Sequence, residues 1–557
     1  MKSEFNLLDE NWIIVMNQDG SREEVSLLDV FRRAPEFVCL AGELPTQDVA
    51  IMRLLLAIMH AALARDKDTK GKAVKLWKGI WEEQKFEYEP SDDNPEKCAY
   101  ERIEAYLQKW HDRFFLFDEK YPFYQVHPQN LHDENGQEII PSLEPKMESF
   151  IGDLAKGDKE ALFNHRTDCS PTYSEVARWL IYINSFAVSP SGAPPAGRRK
   201  IQGFKLPWLC NMGLVWICGE TLFETLMLNF TLVCRNGYDY KGCTVRWEQN
   251  PEVSAQYLLD IDPVPPKNRP ELYTFPFRLV ELCRDSDNSK VVKCNIWAGK
   301  KLEIANPFIE PMTLLSHVDE STPTFKAGDY IPQQIDESKL MWRDFASILA
   351  GNAKLSSGVI NWIKILSESG KLKGINIRLN AAGITFKNKT AVKNVFSDSL
   401  SFSSSLITKL EQQEQGWAWL ISDEIKAAKR LAEATGVLAK SVAESTKTFD
   451  IKIKRDRDAL KRISSSAEER AYFRLDIPFR QWLADIDPAK HNTREDKSLI
   501  IDTWRKTAHD EILKLGEEIV KDAGPSATVG RDGNSAAKAY SKFRSKVCDL
   551  TKGENNG

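Results

Sequence analysis

Apolar positions along the chain follow two regimes. Up to about residue 400, short alternating stretches are mixed with helical ones; beyond it, apolar residues recur at helical spacing. FNLLDENWIIV, residues 5–15, predicts a turn leading into a short strand. Gln18-Asp19-Gly20-Ser21 reads as a turn, Asp-Gly favouring a hairpin, and Glu24–Leu27 returns from it. Val49, Met52, Leu56, Met59 and Leu63 predict a helix over 46–65 with Thr46 as its N-cap. Residues 70–115 read as mostly helical, up to the break at Asp118–Pro122. Tyr173–Ala187 predicts a helix between two irregular loops, 164–172 and 188–203, and loops of that kind are often functional. Residues 206–330 alternate enough to predict strands, 336–368 are helical, and 374–396 predict a strand–turn–strand element around Ala381 to Lys389.

After Ser401 four helical segments follow, at 403–442, 455–485, 494–522 and 534–550, which suggests an up–down four-helix bundle. The expected fold is therefore α+β: a large mixed N-terminal domain over 1–400, followed by a C-terminal four-helix bundle over 401–557.

Composition narrows the function. The chain has 557 residues, 42% hydrophobic and 28% charged, a folding composition. Its net charge of −4 argues against indiscriminate coating of nucleic acid, whose affinity grows with the phosphates neutralised. The part after Ser401 is slightly basic, with 28 basic and 25 acidic residues. No apolar run reaches the ~18 residues of a membrane span, and MKSEFNLLDEN lacks an apolar signal core, so a cytoplasmic protein away from membranes is expected. The ten cysteines include no C-x-x-C pair and read as reduced thiols.

Catalytic chemistry finds little support. There is no phosphate-cradling G-x-x-x-x-G-K-[ST] loop, no H-E-x-x-H and no G-x-S-x-G. Cys234/Cys243 and Cys283/Cys294 are too widely spaced for a zinc knuckle. His111-Asp112 and His509-Asp510 could serve a metal-dependent nuclease only with further ligands, and solvated helix surfaces account for both. A protein without catalytic residues, metal or cofactor is expected, which points to binding or scaffolding.

Phe5-Asn6-Leu7-Leu8-Asp9-Glu10-Asn11-Trp12-Ile13 resembles the opening of the large subunit of the type I-E CRISPR Cascade complex, the CasA or Cse-one family. The likeness continues through Leu44-Pro45 and the apolar helix to Ala64, through Trp110–Leu116 with Tyr121-Pro122-Phe123, and through Phe275–Leu282. The final helical region agrees in length and position. The resemblance implies a non-catalytic subunit that acts with guide RNA and the other Cascade subunits. It would read the protospacer-adjacent motif of double-stranded DNA, help to open the duplex and recruit a separate helicase–nuclease, while the guide reads the sequence.

Site residues follow from the resemblance. Leu162-Phe163-Asn164, with His165 and Arg166, falls where relatives place a Phe-Val-Asn minor-groove loop; an Asn amide can donate to minor-groove acceptors and Arg can pair with phosphate. The family's glycine-rich loop corresponds to Ser191–Lys200, which departs from the pattern with two prolines and the basic run Arg198-Arg199-Lys200, better suited to phosphate than to close backbone approach. A motif-facing lysine corresponds to Lys300 or Lys301. The strand-separating wedge is placed at Gly383–Lys389, with Thr385, Lys387, Asn388 and Lys389 as its polar residues. Lys452, Lys454, Arg455, Arg457, Lys461 and Arg462 would track DNA backbone on the bundle. Each has a plain alternative: Leu162 and Phe163 as core with Asn164 in a turn, the other groups as solvated surface with Asp456 and Asp458 interleaved. The rival reading for the whole chain is a protein-only helical scaffold or adaptor without DNA contacts.

Overall fold

The computed structural model describes residues 5–65, 70–89, 98–127, 171–186, 208–233, 243–249, 266–298, 309–318, 320–321, 326–333, 340–349, 357–370, 372, 375–388, 391–408, 413, 415–446, 448–449, 452–530 and 535–552. The architecture is mixed helix and sheet with a helical C-terminal region. β1 (Ile13–Asn17) and β2 (Arg22–Val25) form the expected hairpin, pairing Ile13 with Val25 and Met16 with Arg22. Gly20 turns it at φ +84, a conformation that favours glycine. α1 (Leu27–Arg32) is capped by Ser26, and β3 (Phe37–Leu40) adds to the other edge of β1. Phe37–Leu40 is too short to show a period, so β3 was not foreseen.

α2 (Pro45–Leu63) is the expected apolar helix, but its N-cap is Leu44, not Thr46. Pro45 pre-sets the first turn, the Gln47 and Asp48 side chains accept from the Glu43 and Gly42 N–H groups, and Thr46 is fully buried. α2 has the length and apolarity of a membrane span, yet 89% of that window is buried inside the protein. It packs against α4 (Ala99–Lys109), α5 (Tyr173–Phe186), α6 (Leu222–Asn229) and α7 (Arg269–Tyr273), while α3 (Lys70–Glu83) packs on α6. Arg53 pairs with Glu310 at 2.8 Å inside this core, and both side chains are almost fully buried. Removing either partner would strand a buried charge, a loss of about 3–5 kcal/mol.

The 206–330 region holds the expected strands: β4 (Leu214–Cys218), the antiparallel pair β5 (Arg278–Arg284) and β6 (Val291–Ala298), and the short pair β7 (Leu315–His317) and β8 (Tyr330–Pro332). α8 (Met341–Leu349) and α9 (Gly358–Glu368) form the helical stretch after it. β9 (Asn376–Asn388) and β10 (Ala391–Ser403) then build a sheet in the order β10-β9-β4.

The C-terminal helices are α10 (Trp417–Ser445), α11 (Lys454–Asp485), α12 (Arg494–Asp522), the short α13 (Gly524–Val529) and α14 (Ala536–Thr551). Three match the expected segments closely. The first does not begin at 403: β10 runs to Ser403, a 3-10 turn covers Ser404–Ile407, and α10 starts at Trp417 behind Gly416. α12 opens with a capping box between Thr493 and Asp496. α10 packs on α11, α12 and α14, around Leu431, Leu438, Leu475, Ile512, Leu515 and Val547.

Contacts divide the chain into two compact units. One comprises Met1–Glu337, Ser357–Trp362 and Leu379–Asp398; the other comprises Ser338–Ser356, Ile363–Arg378 and Ser399–Gly557.

Candidate nucleic-acid interface

Three sequence blocks singled out above lock together. Leu7 N–H donates to Phe114 O and Leu116 N–H to Phe5 O, each at 2.9 Å, with Asn6 bridged to Phe115 between them. Val126 N–H donates to Val280 O, and Leu282 N–H to Gln125 Oε1, also at 2.9 Å. The opening block, the Trp110–Phe123 block and the Phe275–Leu282 block therefore share one backbone network. His111 belongs to it: its ring lies 2.9 Å from Asp9 Oδ2 and its carbonyl accepts from Asn6. His111 is thus a half-buried structural link, while Asp112 is 93% exposed, a solvated surface group as expected. Arg178 extends the network, bonding Trp12 O, Glu24 and Glu43 from a nearly buried position.

The predicted wedge lies on the β9–β10 hairpin. The expected turn around Ala381 to Lys389 is displaced: β9 continues without a break through Asn388. Each strand is 13 residues long, roughly 44 Å at ~3.4 Å per residue. β4 has five residues, so most of β9 has only β10 beside it among the described residues. Ala381, Ala382, Gly383 and Ile384 are all buried, which erases the alternation that would have marked the strand. Gly383 matters for a specific reason: a Cβ there would lie 2.6 Å from Cζ of Phe396 on the opposite strand. That facing pair fits a two-residue connection between Asn388 and Ala391. Thr385 is half-buried within β9, Lys387 and Asn388 end the strand, and Lys389 lies outside the described residues.

On α11 the basic cluster resolves into a face. At 3.6 residues per turn, Lys454, Arg457, Asp458 and Lys461 fall on one side, with Arg455 and Arg462 at its edges. All are exposed, and Lys452 is exposed just before the helix. The buried stripe, Leu460, Ala467 and Ala471, lies roughly 110° away around the helix. Asp456, with its side chain 13% exposed, still pairs with Arg455 at 3.7 Å, and Asp458 is the exposed acid on that face. These cations sit at a helix N-terminus, where the macrodipole disfavours positive charge by about 0.3–1 kcal/mol each.

Phe163, Asn164, His165, Arg166, Arg198, Arg199, Lys200, Lys300 and Lys301 lie outside the described residues. A further basic row was missed: Lys538, Lys542 and Lys546 of α14 are all exposed at i, i+4, i+8. Its signal was legible, since α14 carries one acid, Asp549. Among the described residues no group of three or more His, Cys, Asp or Glu side chains is disposed to hold a metal, and all eight described cysteines are free.

The family model for CRISPR-associated protein Cse1 matches residues 6–515. The chain belongs to the Cse1 family. This is the family of the large subunit of the type I-E Cascade surveillance complex, and it is not known as an enzyme. A curated Cse1 relative, CRISPR-associated protein CasA/Cse1 of Thermus thermophilus, is 25% identical over 542 residues, covering 94% of both chains. Among solved structures, Thermobifida fusca Cse1 superposes with a TM-score of 0.78 at 24% identity, covering 99% of both chains. A chain of a CRISPR RNA-guided surveillance complex, pre-nicking, gives 0.60 at 16% identity over 99% of both. The Cse1 match spans the interlocked blocks, the β9–β10 hairpin and most of the helical region, so the opening resemblance rests on residues that build the core.

Proposed function

We propose that this Cse1-family chain works beside guide RNA and the other Cascade subunits, reads the protospacer-adjacent motif of double-stranded DNA, opens the duplex next to it and recruits a helicase–nuclease. The observation that carries the reading is the family match across residues 6–515, which includes every element assigned a DNA role. Two features support it. The β9–β10 ribbon is long for a strand pair and stiffened by the Gly383–Phe396 contact, which suits an element that must displace stacking of about 1.4 kcal/mol per base step. The α11 face holds cations against an unfavourable helix dipole, which suits a phosphate track.

In this scheme Phe163, Asn164, His165 and Arg166 enter the minor groove. Arg198, Arg199, Lys200 and Lys300 hold the flanking phosphates, Thr385, Lys387, Asn388 and Lys389 form the wedge, and Lys452, Lys454, Arg455 and Lys461 guide the backbone. The minor-groove code is degenerate, so several related motifs should be accepted. The test uses the guide-loaded complex assembled with variant chains. Asn164→Ala is expected to abolish motif-dependent binding. Lys389→Ala should keep binding but slow duplex opening, followed by 2-aminopurine fluorescence beside the motif. Unchanged binding and opening in both would leave the chain as a protein-only scaffold.

A further inference from the structure

The His509-Asp510 pair takes no part in the reading above, yet it is not a bare surface dipeptide. α12 and α14 run antiparallel along a seam where Glu517 meets Tyr540, Gly516 meets Phe543 and His509 meets Cys548. His509 Nε2 lies 3.7 Å from Cys548 Sγ, and His509 Nδ1 lies 3.0 Å from Asp510 Oδ1. A carboxylate only accepts, so Nδ1 carries the hydrogen and Nε2 turns its lone pair to the thiol. Nucleophile, base and orienting acid stand in series, the arrangement by which proteins activate a weak nucleophile. Both ring nitrogens are committed, so the trio is built for proton transfer rather than metal binding.

Most of the charged side chains around it are cationic. Arg544 and Lys552 lie one turn either side of Cys548 on α14, and Lys506 lies one turn before His509; all three are exposed. From α10, also packed on α14, come Glu424, already held by Arg505, and exposed Lys426, Lys429 and Arg430. The acids on the seam are Asp510, Glu517 and Asp549. Cys548 is half-buried and reachable, whereas burial pushes the thiols of Cys210, Cys243 and Cys294 up to about 12.

We propose that Cys548 is a reactive thiol, with His509 as its base and Asp510 as the group positioning that base, and that its substrate is a low-molecular-weight disulfide. The Cys548 proton passes to His509 Nε2. The thiolate attacks one sulfur of the disulfide, a new S–S bond joins Cys548 to that half, and the old S–S bond breaks. The departing thiolate takes its proton back from the imidazolium, so electrons and protons balance and the product is a mixed disulfide on the α12–α14 seam.

The test treats the full chain with glutathione disulfide at pH 7 and maps the modified cysteines over time by peptide mass spectrometry. Cys548 is expected to react about tenfold faster than half-buried Cys39 and Cys283. His509→Gln should slow Cys548 about tenfold, change the shape of its pH–rate profile and leave Cys39 unchanged. Asp510→Asn, at a position 65% exposed and therefore tolerant, should slow it as well and serves if His509→Gln disturbs folding. Equal rates and equal pH–rate profiles at Cys548 in the parent and both variants would overturn the proposal, as would slower reaction at Cys548 than at Cys39.

Discussion

Removing Arg505 should expose how the bundle tolerates a carboxylate in its core. Glu424 of α10 is 3% exposed, and Arg505 of α12 donates to its Oε1 from Nε at 2.9 Å and Nη2 at 2.7 Å. Burial pushes the Glu424 carboxyl above its ordinary value; Arg505 opposes that push and Asp423 adds to it. Arg505→Met leaves the carboxylate without its cation, so the bundle should lose about 3–5 kcal/mol at pH 8. For a unit of this size that is a fall of roughly 10 °C in its melting temperature. The pH dependence has a definite sign. A carboxyl whose folded value is raised is most favourable when protonated, below its unfolded value, and loses that advantage as pH rises through the folded value. The deficit of Arg505→Met should therefore be largest at pH 8 and shrink toward pH 4. The double variant Glu424→Met/Arg505→Met should lie within about 1 kcal/mol of the parent or exceed it, because the desolvated pair is replaced by apolar packing. Urea denaturation followed by tryptophan emission reads the unfolding, with Trp417, Trp419, Trp482 and Trp504 as the reporters on α10 to α12. A single-variant loss under about 1 kcal/mol at pH 8, or a deficit equal at pH 8 and pH 5, would refute the reasoning.

Other positions give independent checks. Gly516→Ala drives a Cβ into Phe543 Cε1; overpacking of about 1–3 kcal/mol should outweigh the ~1 kcal/mol helix-propensity gain, and Phe543→Leu should restore the melting temperature. Gly436→Ala meets chiefly the mobile end of Glu468, at 2.6 Å, so its melting temperature should change little. Asp48, raised by burial from 3.8 to about 7, is stabilised when protonated; Asp48→Asn should match the parent near pH 4 and exceed it at pH 8 by up to about 4 kcal/mol in thermal melts. Gly383→Ala should push Phe396 off the ribbon and slow duplex opening by the guide-loaded complex while motif binding persists, as a stopped-flow 2-aminopurine trace would record.

Much of the fold was legible because local rules and tertiary packing agree in it. The Asp19-Gly20 turn, the α2 apolar stripe and the three later bundle helices were readable from period and turn chemistry alone. The misreadings have physical causes. Residues 403–416 contain strong helix formers, yet the chain there finishes β10 and turns before Gly416 caps α10. The length of β9 was hidden because Ala381–Ile384 are buried on both faces and show no alternation. Ion pairs such as Arg53–Glu310 and the His509–Cys548 contact join residues far apart in sequence, and no local pattern announces them. Of the positions proposed to meet DNA, the α11 row was visible as a cluster, and the interleaved acids remain beside it, Asp456 paired with Arg455 and Asp458 exposed. The blocks that carried the family likeness were readable for a simpler reason: they are the backbone partners Phe5–Leu7, Phe114–Leu116 and Val126–Val280 that hold the first unit together.

The central claim is tested most directly by measuring duplex binding of the guide-loaded complex with and without this chain, over a library of flanking motifs and two salt concentrations. The account predicts that omission abolishes motif-dependent binding. It also predicts that neutralising Lys452, Lys454, Arg455 and Lys461 reduces the salt slope by about one unit per lost phosphate contact without changing motif preference. Motif preference and affinity unchanged when the chain is left out would contradict it and assign motif reading to another subunit.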